Sequence, residues 1–147
     1  MWGWVPRSSI QPRGIASCAL PCPLLRSTSR ACRVGREEAA HGHHAQALGA
    51  EDLEEIVADY SDDAVFITPA GVQRGKDGIR QAFTKLLSGV PQGSWDIKTT
   101  IYVDDILLLE WGAEGGGNRI EDGIDTFVFR DGLIRVQTVR YTLQPAG

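Results

Sequence analysis

Asp125 and Arg140 are the residues of this chain best placed for chemistry, because a hairpin turn between them fixes how they face each other. Residues 122–145 read DGIDTFVFRDGLIRVQTVRYTLQP. Asp131-Gly132 separates two alternating runs, and this dipeptide suits a two-residue turn in which both central positions need positive φ. With that turn, Arg130 pairs with Leu133. Counting outward sets Asp125 opposite Thr138, with Arg140 one diagonal step away. One face then carries Asp125, Phe127, Phe129, Ile134, Val136, Thr138 and Arg140. The other carries Thr126, Val128, Arg130, Arg135, Gln137, Val139 and Tyr141. An acid and a base beside four large apolar side chains predict a lined cavity rather than a plain core.

A carboxylate in such a cavity works as a general base when its pKa approaches the working pH. Phe127 and Val136 would raise the pKa of Asp125 by desolvation, whereas a touching Arg140 would lower it and keep Asp125 a weak base. Three readings stand: a structural pair that fixes the hairpin, a pair that contacts substrate, and a catalytic carboxylate. His44 is the second candidate acid or base; the alternative is a hydrogen-bonded core histidine. Tyr60, Trp95 and Trp111 are candidates for an aromatic lining with a polar edge, or for simple core packing. Phe66, Phe127, Thr138 and Arg140 complete the candidate binding set. His41, His43 and His44 do not converge as an i, i+4 pair would, so no metal is expected. No Ser–His–Asp set and no Gly-rich phosphate loop is evident, and no cofactor is expected.

The elements that must position these groups follow from periodicity. Residues 37–48 place Ala40, His44, Ala47 and Leu48 on one helical stripe, which Gly42 weakens. Asp52-Leu53-Glu54-Glu55 resembles a capping box, with Asp52 receiving the first amides and Glu55 reaching back. The helix it opens carries Leu53, Ile56, Val57 and Tyr60 at i, i+3, i+4 and i+7, and Asp62-Asp63 breaks it. Residues 64–68 form a strand, Pro69-Ala70-Gly71 turns, and residues 72–74 return. Gly75 starts a third helix with Ile79, Phe83, Leu86 and Leu87 inward, and Gly89 closes it. After Pro91 the chain is strand and turn: residues 95–103, 106–113, 119–130 and the last hairpin, with Gly115-Gly116-Gly117 as a flexible turn. The strand at 106–113 is apolar enough that both faces are expected to be covered. Two or three helices before a long antiparallel meander give an α+β domain. The curved antiparallel sheet must curl around the N-terminal helices that cap it, which makes a cone with an open mouth.

Composition splits the chain. Residues 1–36 hold six Arg and no acidic residue, a formal charge of +6; the rest holds nine Lys and Arg against 19 Asp and Glu, a formal charge of −10. All three Cys and four of the seven Pro lie in the first stretch. Residues 1–34 are therefore expected to be a disordered basic extension, with an organelle transit peptide or a secretory signal as the other readings. Residues 35–147 are expected to form one domain with one modest core. Their acidity argues against nucleic acid as a partner, and no apolar run reaches the length of a membrane span. A cytoplasmic location is the expectation.

The run ALGAEDLEEIVADYSDDAVFITPAGVQRGKDGIRQAF, then LLLEW, then DGIDTFVFRDGLIRVQTVRYT resembles the SnoaL-like branch of the nuclear transport factor 2-like superfamily. The resemblance implies a cone-shaped α+β fold of the cystatin-like kind, a central pocket for a small hydrophobic organic molecule, and a homodimer through the outer sheet face. Here Thr126, Val128, Gln137, Val139 and Tyr141 are expected to supply that face. Polyketide cyclases, ketosteroid isomerase-like enzymes and dehydratases share the fold with proteins of no known chemistry. In the cyclase and isomerase branches a pocket carboxylate removes a proton next to a carbonyl, the role the resemblance offers Asp125. A non-catalytic dimerisation or ligand-sensing module is the alternative, and fold alone does not choose between them.

Overall fold

A computed structural model of the chain describes residues 30–147. Helix α1, Arg30–Gly49, starts earlier than its amphipathic stripe suggests, so the expected boundary after residue 34 falls inside it. The rest of the expected extension lies outside the described residues. α2, Leu53–Ala58, opens on Asp52, whose carboxylate accepts the Glu55 amide at 3.2 Å. The reciprocal half of the capping box is not made. The Asp52 amide bonds the Ala47 carbonyl, and Glu55 turns to His43, 3.3 Å away.

α2 is also shorter than its apolar spacing implies. The spacing makes Tyr60 the last inward residue of the helix, but Tyr60 is the first residue of strand β1, Tyr60–Thr68. Asp59 caps the helix, and the Ile134 amide bonds its carbonyl, which pulls the following residues into the sheet. β2, Gly71–Arg74, and α3, Gly75–Gly89, follow as expected, and α3 buries Ile79, Phe83 and Leu86.

The remaining strands are β3 Ser94–Val103, β4 Ile106–Gly115, β5 Asn118–Arg130, β6 Leu133–Arg140 and the short β7 Gln144–Pro145. The sheet order is β2-β1-β6-β5-β4-β3, with β7 on β5. All neighbours are antiparallel except β1 and β6, which run parallel. Register shifts interrupt the β1–β6, β3–β4, β4–β5 and β5–β6 ladders. Such bulges bend strands and strengthen twist, and here they curl the sheet around α1 and α3. The core on the inner face is built from Ile56, Val57, Tyr60, Ile79, Phe83, Leu107, Phe127, Phe129 and Ile134, all buried.

The last hairpin turns as the sequence predicts. Asp131 and Gly132 both have positive φ, 55° and 80°, and Arg130 pairs with Leu133. The register beyond the turn differs. Phe129 pairs with Ile134, but Val128 pairs with Val136, so Arg135 is an extra residue in β6. An added residue in a period-two strand flips every later side chain. Gln137 and Val139 therefore point inward, and Thr138 and Arg140 point out. Asp125 lies opposite Val139, not Thr138.

The outer face of β4 is not covered within the described residues. Ile106 is 43 % exposed, and Leu108 is half-buried beside it.

Candidate functional site

Asp125 is buried at the centre of the inner face, brought there by β5. Trp111 on β4 donates its indole N–H to Oδ1 at 2.9 Å, and Gln137 on β6 donates its amide to Oδ2 at 2.9 Å. The Tyr60 hydroxyl donates in turn to the Gln137 carbonyl oxygen. This chain of bonds fixes the direction of the amide, because Gln137 can donate to a carboxylate only through nitrogen, which leaves its oxygen to accept from Tyr60. The bulge in β6 makes the network possible, since an unbroken register would turn Gln137 to the outer face.

Gly123 is the local device that seats Trp111. It pairs with Trp111 across the β4–β5 ladder, and a β-carbon at residue 123 would overlap Cδ2 and Cε2 of the indole. Only glycine lets the ring lie flat on the strand with its N–H over Asp125.

The electrostatics follow from what is near and what is not. Burial raises the Asp125 pKa to about 7, and the Trp111 and Gln137 hydrogen bonds only partly offset it. The expected ion pair with Arg140 is absent. Arg140 is exposed and lies 3.5 Å from Asp122, whose carboxylate also accepts from the amide and hydroxyl of Thr142. The outward flip of β6 removes the cation that would have kept Asp125 a weak base. Thr138, another expected pocket residue, is exposed on the outer face for the same reason.

His44 is 4 % exposed and packs edge-on against Tyr60, Phe83 and Phe127. Its Nδ1 lies 3.5 Å from Asp59 Oδ2, which leaves Nε2 as the nitrogen turned away from that carboxylate. Asp59 also binds the exposed His43 through Nδ1 at 2.7 Å, and this bond raises the His43 pKa.

His44, Asp125, Phe66, Trp95, Trp111 and Phe127 line one cavity of about 40 Å3 with Gln137, Val139, Phe83 and Leu86. Tyr60 stands behind Gln137 rather than on the wall. A larger cleft of about 540 Å3 opens between the β1–β2 turn, the end of α3 and the chain after β6. The two share Phe66, Leu86 and Val139 as a partition. Gln137, Asp59 and Gly123 are the site residues that the sequence reading missed. Only Gly123 carried a signal, as a glycine within a strand, which marks a bulge or a close approach. Among the described residues no group of three His, Cys, Asp or Glu side chains is arranged to hold a metal ion. Nor is any described helix long and apolar enough to cross a membrane.

Comparison with known proteins agrees with this architecture. No curated protein sequence matches the chain. Among solved structures, a nuclear transport factor 2-like protein of unknown function from Burkholderia xenovorans superposes with a TM-score of 0.63 at 20 % identity, covering 78 % of this chain and 88 % of that one. A provisionally named ketosteroid isomerase from Kribbella flavida gives 0.63 at 14 %, covering 77 % and 82 %. A provisionally named polyketide cyclase from Sinorhizobium meliloti gives 0.61 at 14 %, covering 69 % and 94 %. Likeness at these identities shows the shared fold. The sequence profile of the SnoaL-like domain matches residues 41–137, most of the ordered elements above. The chain shares the nuclear transport factor 2-like fold and belongs to the SnoaL-like domain family.

Proposed function

We propose that this domain binds a small apolar ring compound with a carbonyl group and that Asp125 moves a proton on the carbon beside it. The observation that carries the reading is a buried carboxylate whose pKa sits at about 7, with no described cation paired to it. A base poised near working pH gains most from general catalysis. Trp111 and Gln137 hold its two oxygens and leave each a free lone pair. Removing a proton beside a carbonyl pushes negative charge onto the carbonyl oxygen. His44 lines the same cavity and would meet that charge only through an Nε2–H. The structural neighbours provisionally named as an isomerase and a cyclase are consistent with this class of step.

The substrate would enter from the outer cleft and displace the Phe66–Leu86–Val139 partition. A 540 Å3 cleft falls in the usual range for ligand sites, roughly 300–1,000 Å3. The test is exchange of the proton beside the carbonyl in deuterated buffer, using bicyclic ketones and mass detection. Exchange that is lost in Asp125→Asn supports the proposal; equal exchange in both proteins refutes it.

One observation favours a non-catalytic sensing module instead. Trp111 and Tyr60 fill much of the interior, and the 40 Å3 left is far below the ~150 Å3 that admits benzene. Binding of a ketone with no exchange would select that reading.

We also propose a homodimer through the convex sheet face. Ile101, Val103 and Ile106 are 49 %, 57 % and 43 % exposed, next to half-buried Leu108, Val128 and Val136. These side chains lie together on one face, and contiguous exposed apolar groups of this kind mark interaction surfaces. This face replaces the strip expected from the sequence, because Gln137 and Val139 face inward. A cytoplasmic setting belongs to the same reading, since residues 33–147 contain no cysteine and need no oxidising compartment.

A further inference from the structure

We infer that the outer cleft selects an apolar ring compound carrying one anionic group, which Lys85 holds while the ring faces the partition to Asp125. This rests on the proton-transfer reading for what happens beyond the partition, and it names the substrate class.

Three observations lead there. The inner cavity is too small to hold an organic molecule by itself, so most of any ligand must lie in the cleft. The cleft is walled by apolar groups, among them Phe66, Ala82, Leu86 and Val139, and Lys85 is the single charged side chain among the described residues that line it. Lys85 also stands apart from the other cations of α3. Lys76 pairs with Asp62, and Arg80 pairs with Glu54 and Asp77, while no carboxylate among the described residues lies within ion-pair distance of Lys85. In a domain with nineteen acidic residues, a cation left unpaired at the rim of an apolar cleft is a ready partner for an incoming anion.

Its position gives the pose. Lys85 directly precedes Leu86, whose side chain forms part of the partition, so an anion held at residue 85 leaves the ring against Phe66 and Val139. An ammonium is a point charge without a fixed fork, so it reads the charge of the group and not its shape. A carboxylate, a sulfonate or a phosphate would meet the same requirement.

The experiment compares two isosteric probes, 2-naphthoate and neutral 2-naphthamide, titrated into the full chain and followed by amide NMR shifts. The naphthoate should bind about fivefold more tightly, the upper range for a partly exposed ion pair. Its shifts should centre on residues 68–73 and 85–89. The preference should vanish in Lys85→Gln and shrink in ~0.5 M salt, where the Debye length is only a few Å. Equal affinity of the two probes, a preference that survives in Lys85→Gln, shifts centred on the convex sheet face, or no binding of either probe at millimolar concentration would each overturn the inference. Because the readout is equilibrium binding, it stands apart from catalysis. Unchanged exchange in Asp125→Asn defeats the proton-transfer reading and leaves the Lys85 result intact.

Discussion

Replacing Asp125 with Asn should stabilise the domain, and increasingly so as pH rises. The pKa of Asp125 goes from 3.8 when free to about 7 in the fold. For a raised acid the folded state binds more protons than the unfolded state between these values, so stability falls as pH climbs from about 4 to about 7. The whole rise corresponds to roughly 4 kcal/mol at high pH, at about 1.36 kcal/mol for each pH unit. About half of that, roughly 2 kcal/mol, develops between about pH 5.5 and about pH 8.5.

Asn is close in shape to the neutral acid. Its amide would face the Gln137 amide donor-to-donor, but Gln137 can rotate so that its oxygen accepts from the introduced amide and its nitrogen turns to the Tyr60 hydroxyl oxygen. Every other titrating group is common to both proteins and cancels in the difference. Urea unfolding of wild type and Asp125→Asn across about pH 5.5–8.5 should therefore show the gap widening in favour of the variant by roughly 2 kcal/mol, or about 10 °C in thermal midpoint. Parallel curves would mean that Asp125 is not desolvated in the fold, and the reasoning from burial to a poised base would fail.

Three further expectations follow from the same geometry. Gly123→Ala should cost about 1–3 kcal/mol by forcing the Trp111 indole off the strand, with a loss of near-ultraviolet circular dichroism from that tryptophan; an unchanged spectrum and melt would count against the seat. Asp125→Asn and Arg140→Met should be additive to within ~0.5 kcal/mol, because Arg140 faces Asp122 on the outer side; a larger coupling would place the two groups together after all. Val128→Glu should convert a dimer to a monomer in light scattering, and a wild type that is already monomeric at tens of micromolar would rule out the convex-face interface.

The elements of the fold could be read from the sequence because each carries its own local signal. Asp131-Gly132 sets the turn, Asp52 opens α2, and the stripe of Ile79, Phe83 and Leu86 defines α3. The face of β5 was also readable, since Asp125, Phe127 and Phe129 follow from counting two at a time back from the turn. The inward face of β6 was not. The alternating run from Leu133 to Tyr141 fits either register, and no glycine marks the bulge at Arg135. Val136 and Thr138 thus took the places that Gln137 and Val139 occupy. That single residue reverses the electrostatics of the site, exchanging a neutralising arginine for a neutral amide. The place of Tyr60 is hidden for a related reason: its spacing continues the helix, but the bond from Ile134 to the Asp59 carbonyl is a contact across 75 positions that no local pattern reports. The approach of Trp111 to Asp125 likewise depends on the β4–β5 ladder, whose register shifts between Trp111 and Ala113.

The central claim is that Asp125 is a carboxylate held at the edge of ionisation by an apolar cavity. A carbon-13 titration of its side-chain carboxyl, assigned by comparison with Asp125→Asn, measures this directly. A midpoint near pH 7 is the predicted result, and a midpoint near about pH 4, the value of an ordinary exposed aspartate, would contradict it.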